Sequence, residues 1–248
     1  SKLFTSLSAA QIAGLTTAQV NKLDTDTIKI LSSTQVSGLT TAQIKALSSD
    51  QIAKLTTSSV NVLTASQLAA IDTADLSSIG SDQFRAFKAQ SLSGLTTAQM
   101  KAFGDLGTSK LTGFTTAQIS ALNATQINAM SPTNLSTTQV AAFNPLIVSN
   151  LSTDRINSLS ADQAKALTAA QLKAFSTAQA QAMSSDQVKA LLTSQISVLT
   201  AAQINAIGTD FQKLSSDQIK AIGASQISAL STDQLSSIDS NQVKGLSS

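Results

Sequence analysis

Glutamine recurs along this chain like the teeth of a comb. It stands at 11, 19, 35, 43, 51, 67, 83 and 99, and every gap is a multiple of eight. The comb resumes at Gln118 and Gln126, again at Gln139, then runs from Gln163 to Gln203 and from Gln218 to Gln242. Of 30 teeth, 21 are Gln. The others are Thr27, Ser59, Asp75, Ser91, Lys110, Asn134, Ile147, Arg155 and Asp210. The repeat reads L-T-T-A-Q-I-x-A, and its positions are numbered here one to eight, Leu first and Gln fifth. So short a period limits the chain to architectures in which each octad buries its apolar side chains against its neighbours.

An uninterrupted helix fails this test. Eight residues overshoot two helical turns by roughly 80°, so the apolar positions would wander around the cylinder. An uninterrupted strand fails too. The large apolar residues at positions one and six are alternately five and three apart, which puts them on opposite faces. A broken helix fits. Position two is Ser, Thr, Asp, Asn or Gly in 27 of 30 octads, the exceptions being Lys88, Leu192 and Ile207. These are the preferred N-cap residues, and Gln three residues later completes a capping box. Apolar residues at positions one and six are then the N′ and N4 partners of a hydrophobic staple. Both prolines, Pro132 and Pro145, fall at position three, the first helical residue, where proline is best tolerated.

The charges follow the same register. Eight of the 14 acidic residues, all of them Asp, sit at position four, and eight Lys and Arg85 sit at position seven. Acid at the start and base at the end complement the helix dipole. Position eight is mostly small. Gly14, Gly38, Gly94, Gly113 and Gly245 there are expected to relieve the turn out of the helix, and small residues let neighbouring helices approach. Three irregularities interrupt the comb, near 104–106, 134–139 and 207–212, and the pattern resumes at once after each. The expectation is an all-α fold, one continuous superhelical solenoid over 1–248 of very short capped helices, one per octad. A β-solenoid of eight-residue rungs is the runner-up, disfavoured by the Ala and Gln content.

The repertoire for chemistry is thin. The chain has no His, Cys, Trp, Tyr or Glu, which removes the commonest general base, the commonest metal ligand and any thiol nucleophile. Ser and Lys remain, but at cap and surface positions. Asp24 and Asp26 lack the further oxygen ligands of a calcium loop and read as a cap and a first-turn acid. No catalytic, cofactor-binding or metal-ligating residue is assigned, no cofactor is expected, and the chain is expected not to be an enzyme. A net charge of +2 is too small for a nucleic-acid footprint, and no apolar run approaches a membrane span. The Gln comb is read as capping-box partners before a ladder of amides for a glycan or a neighbouring molecule. Thr at position three is read as an exposed first-turn residue before a sugar- or ice-binding face.

The strings LTTAQV at Leu15–Val20, LTTAQI at Leu39–Ile44 and LTTAQM at Leu95–Met100 resemble repeat arrays of very large secreted or surface bacterial proteins. That resemblance implies an extracellular or cell-surface setting and a fibrous or adhesive role. The same strings resemble the opening helix of TAL-effector DNA-binding repeats. Those repeats are several times longer and carry a base-reading loop for which an octad has no room, so no nucleic-acid partner is expected. Ser1 at the start, without a leader, suggests a processed product or a fragment. Phe4 and Leu7 already occupy core positions, and Gly245-Leu246-Ser247-Ser248 end mid-octad without a polar capping repeat. Such ends suit a longer parent chain or head-to-tail contact between copies. The expected function is a structural fibre subunit or rigid surface stalk. The alternative is an adhesin-like module whose Thr/Gln face binds a glycan.

Overall fold

The computed structural model of the protein describes residues 2–106, 111–130, 132–240 and 242–243, so Ser1, Lys110 and the segment 244–248 lie outside the described residues. Among the described residues there is no strand, and the octads are helices, mostly of four to six residues. One octad shows how each is made. The chain arrives extended at Leu39 and turns at the N-cap Thr40, φ −70° and ψ 159°. Thr40 Oγ1 accepts from the Gln43 backbone N–H at 3.2 Å, and Gln43 Oε1 accepts from the Thr40 backbone N–H at 2.8 Å. The helix Thr41–Lys45 follows, and Ala46 closes it with its N–H on the Ala42 carbonyl. Leu47 then starts the next octad. Pro145 opens the helix Pro145–Val148 behind the Asn144 cap, as its position in the octad predicts.

A five-residue helix does not survive alone in water. Its stability comes from stacking on the third helix along the chain. Thr17–Asn21 meets Thr41–Lys45, which meets Ala65–Ala70; later, Thr137–Ala141 meets Ala161–Ala166, which meets Ser185–Ala190. Leu39, Leu47 and Leu55 at position one, and Ile44, Ile52 and Val60 at position six, are all buried. The fold is thus the expected all-α solenoid of capped octads, with Leu and Ile inside. No described helix is long and apolar enough to cross a membrane.

The chain divides into two compact units, Ser1–Asn134 and Leu135–Ser248. The division falls where the comb loses three residues, between Asn134 and Gln139. Within the first unit, the insertion near 104–106 extends one helix to nine residues, Thr97–Asp105. Three extra residues are nearly one helical turn, and that turn buries Phe103 edge-on to Phe84 with centroids 5.0 Å apart. Within the second unit, the irregularity near 207–212 is a 3₁₀ helix, Gly208–Lys213, that continues from Ala201–Ala206 through Ile207 with no N-cap break.

Of the two roles expected of the position-eight glycines, close approach is the one Gly38 and Gly94 fill. Gly14 and Gly38 end their helices in ordinary right-handed conformation, φ −77° and −78°. Gly208 is the one described residue with positive φ. What Gly38 and Gly94 supply is space. A Cβ on Gly38 would lie 2.7 Å from Ala9 Cβ, and one on Gly94 only 2.0 Å from the Ala65 carbonyl oxygen. Both neighbours are first-turn residues three octads earlier, so these glycines permit close stacking between turns.

Candidate functional site

Helix ends leave backbone groups without intrahelical partners, donors at the start and carbonyls at the finish. In short helices nearly every group is terminal, so where these bonds go is the central question for this fold. The donors are met locally by the capping box. The carbonyls are met by glutamine from elsewhere. Gln43 Nε2 donates to the Ile12 carbonyl at 2.9 Å and the Leu15 carbonyl at 2.7 Å, 31 and 28 residues upstream. Gln51 repeats this on Val20 and Leu23, Gln171 on Val140 and Phe143, and Gln187 on Ile156 and Leu159. The acceptors are mostly positions six and one, the last carbonyls of one helix and of the corner after it; Gln218 and Gln242 take position seven in place of six, at Lys189 and Gln212, and Gln234 reaches Gly208 in place of a position-one residue. A 28-residue offset is three and a half octads, so each amide ties together two successive octads of the preceding turn.

The pairing follows octad position and not residue count. After the insertion, Gln118 reaches Phe84 and Phe87 across 34 and 31 residues, still positions six and one. After the shortened stretch, Gln226 reaches Ile196 and Leu199 across 30 and 27. These glutamines are buried, Gln171 wholly so. No buried side-chain nitrogen or oxygen among the described residues lacks a partner. Asparagine at position seven adds a second tie in the opposite direction along the chain. Asn21, Asn61 and Asn157 donate to the position-eight carbonyls of Ala46, Ala86 and Ala182, each 25 residues ahead.

The capping-box reading of Gln is therefore half of its role. The box uses Oε1, and the amide nitrogen is spent inside the molecule. This also takes Gln out of a Thr/Gln face open to a glycan, since from Gln35 onward the comb glutamines are buried. A signal in the sequence could have exposed the second role. A capping box accepts Glu as readily as Gln, yet this chain has 21 Gln on the comb and no Glu at all. Only the amide can both accept from the cap and donate across the turn.

Elsewhere the polar positions stay outside. Thr41, Thr57 and Thr97 at position three are exposed, as are Lys45, Lys165 and Lys173 at position seven. Asp24 caps the helix Thr25–Ile30, its Oδ1 accepting from the Thr27 N–H at 2.6 Å. That bond, with the Thr27 side chain, holds the Asp24 carboxyl below the ordinary carboxylate range. In the second unit, Lys165, Lys189 and Lys213 line a shallow groove together with Asp162 and Asp217, a surface of mixed sign. In the first unit, a cavity of about 540 Å³ opens among Phe4, Leu15, Gln19, Leu23 and Thr27.

Three segments, 21–57, 165–193 and 211–248, match the family model of the ALTTAQ repeat. No curated protein matches the chain. A solved structure, the leucine-rich repeat-containing protein LegL7 from Legionella pneumophila, is 11% identical over 79% of this chain and 78% of that one. Its TM-score of 0.20 is too low to carry an argument. The matched segments fall in both compact units, on octads whose glutamines cap and cross-tie as described, and the chain is a repeat-based structural protein similar in those three segments to the ALTTAQ repeat.

Proposed function

We propose that this protein is a structural element of the cell surface or extracellular space, a fibre subunit or rigid stalk, and not an enzyme. The observation that carries the reading is the amide tie between turns. It consumes the most regular polar group of the chain in holding one turn to the next, and it uses only main-chain acceptors that any further octad would present. Such a contact extends without limit and recognises nothing but another turn, which is what a rod requires. The placement outside the cell rests on the resemblance of the LTTAQ strings to surface arrays. Electron microscopy and light scattering on the purified chain test it. Regular filaments or rods support the reading. A strictly monomeric particle that binds a glycan array through its exposed position-three threonines would replace it with the adhesin alternative.

A further inference from the structure

At Gly38 and Gly94 successive turns touch so closely that only glycine fits. At Gly208 the turns stand apart. A Cβ built there would meet no atom within 4 Å. Gln203 and Gln218 are 15 residues apart, one short of two octads. The chain absorbs the slip in the 3₁₀ helix Gly208–Lys213 and in the positive φ of Gly208, 63°. The helix Thr232–Ser236 of the next turn stacks on that stretch. Its comb tooth bonds loosely. Gln234 Nε2 reaches the Ile204, Asn205 and Gly208 carbonyls at 3.1, 3.2 and 3.3 Å, whereas Gln226 reaches Leu199 at 2.6 Å.

Between these two turns lies a cavity of about 140 Å³, lined by Asn205, Gly208, Thr209 and Gln212 from one turn and by Ser231 and Asp233 from the next. No apolar side chain contributes to its wall. Four polar groups there are uncommitted. The Thr209 hydroxyl, the Gln212 amide and the Asp233 carboxylate make no hydrogen bond among the described residues. Asn205 spends its Nδ2 on the Ala229 carbonyl at 2.6 Å and keeps its Oδ1. Position four, which supplies Asp233, is exposed on interior turns too, as at Asp82 and Asp186. The cavity is therefore a gap between stacked turns and not a free face of the array.

The wall decides what can fill it. An apolar ligand would leave these groups without partners. A calcium ion takes about six to eight oxygen ligands, and here one carboxylate stands beside the N–H donors of an amide. A hydroxyl group donates and accepts at once, so a compact molecule carrying several of them satisfies all four. The volume equals the share of about five waters at roughly 30 Å³ each, which is room for one sugar ring. We infer that this cavity is a binding site for a single neutral sugar unit, with Asp233 and Asn205 Oδ1 accepting from its hydroxyls and Thr209 and Gln212 bonding to the same ring. The site is separate from the repeated position-three threonines and stands or falls apart from the fibre reading.

Glucose, galactose, mannose and N-acetylglucosamine, each titrated into the full chain and followed by ¹⁵N-resolved NMR, test it. At least one of the four is expected to shift the amides of 205–212 and 231–237 saturably and to leave Thr41 and Thr97 unmoved. Asp233→Ala is expected to weaken that binding about tenfold or more, the worth of a hydrogen bond to a charged group. Asp186→Ala, at the same octad position on another turn, is expected to leave it unchanged. Gly208→Asn tolerates the positive φ and projects into the open space, so it is expected to abolish binding, with thermal melts as a check on folding. Calcium chloride is expected to leave the same amides still. No saturable shift with any of the four sugars, equal affinity in Asp233→Ala and the parent, or shifts spread along the position-three threonines would each overturn the site, as would calcium acting in place of sugar. Should Gly208→Asn fail to fold, Asp233→Ala still decides. The readout does not involve particle mass, so its failure leaves the fibre reading standing.

Discussion

Two neighbouring octads of the first unit show what the comb glutamine does. Leu63–Ala70 has Gln67, and Ile71–Ser78 has Asp75 at the same position. With Gln67 the octad is an α-helix, Ala65–Ala70, boxed at Thr64 and tied to the Leu39 carbonyl at 2.7 Å. With Asp75 it is a 3₁₀ helix, Thr73–Ser78, whose cap Asp72 bonds only as far as the Ala74 N–H. Among the described residues the relation runs one way, since the octads of Thr27, Ser59, Ile147 and Arg155 are α-helices without a comb Gln. The 3₁₀ helices Thr73–Ser78, Ala89–Gly94, Pro132–Asn134 and Gly208–Lys213 all fall on octads with no Gln at position five, which is Asp75, Ser91, Asn134 and Asp210. Substitutes recover part of the tie: Ser91 Oγ reaches the Leu63 carbonyl at 2.7 Å, and Asn134 Nδ2 the Gly104 carbonyl at 2.9 Å. The buried apolar side chains are the same in both kinds of octad. The difference teaches that hydrophobic spacing sets where an octad goes, and the glutamine adds the boxed cap and the bond to the turn below.

The comparison can be broken most severely through register. Removing the whole octad Leu39–Ala46 keeps every tooth in phase and leaves a folded first unit. Removing only Leu39–Ala42 places caps where core residues belong, which buries polar groups without partners at about 1–3 kcal/mol each. Far-UV circular dichroism and melting of the two deletions check this, and equal melting temperatures contradict it. Next in size is Gln171→Glu. It keeps the box at Thr168 but buries a charge against the Val140 and Phe143 carbonyls, at a cost of about 3 kcal/mol or more. Chemical denaturation gives the value, and a loss no larger than at exposed Gln19 would show that the amide tie is idle.

The smaller changes sharpen the contrast. Asp75→Gln gives its octad the missing donor toward the Leu47 carbonyl and is expected to gain about 1 kcal/mol while converting 3₁₀ to α geometry, read by denaturation and by NMR secondary shifts over Thr73–Ser78. Leu192→Ser adds the side-chain cap absent from Thr193–Ile196, where only the backbone N–H bonds to Gln195; a cap is worth about 1 kcal/mol. Smallest is the acid response of the Gln-less octad at Thr27. Asp24 is held below its ordinary value, so its cap stabilises at pH above the usual carboxylate range of about 4 and fades as pH falls through the lowered value. Asp24→Asn should flatten that part of the stability–pH curve.

Most of the fold was legible in the residues, because caps, staples and N1 prolines are local chemistry with fixed spacing. Ser, Thr or Asp at position two and Leu at position one were enough to place nearly every helix start. The number of octads per turn was not legible, since it depends on how closely position eight approaches the turn below. Gly38 and Gly94 were legible as small residues that let helices approach, but not which turn they meet. The second role of Gln was hidden because its acceptors are main-chain carbonyls, which any residue supplies and no pattern marks. The same holds for Asn21, Asn61 and Asn157, whose acceptors are the carbonyls of alanines.

The claim at the centre is that comb amides are bonded donors inside the molecule. Side-chain carboxamide hydrogen exchange, read by ¹⁵N-resolved NMR, measures this directly. The Nε2 protons of Gln43, Gln51, Gln171 and Gln187 should exchange slowly, on the scale of the backbone amides of their own helices. The exposed off-comb glutamines Gln90, Gln181 and Gln212 should exchange at the rate of a free side chain. Equal, fast exchange at both sets would contradict the account.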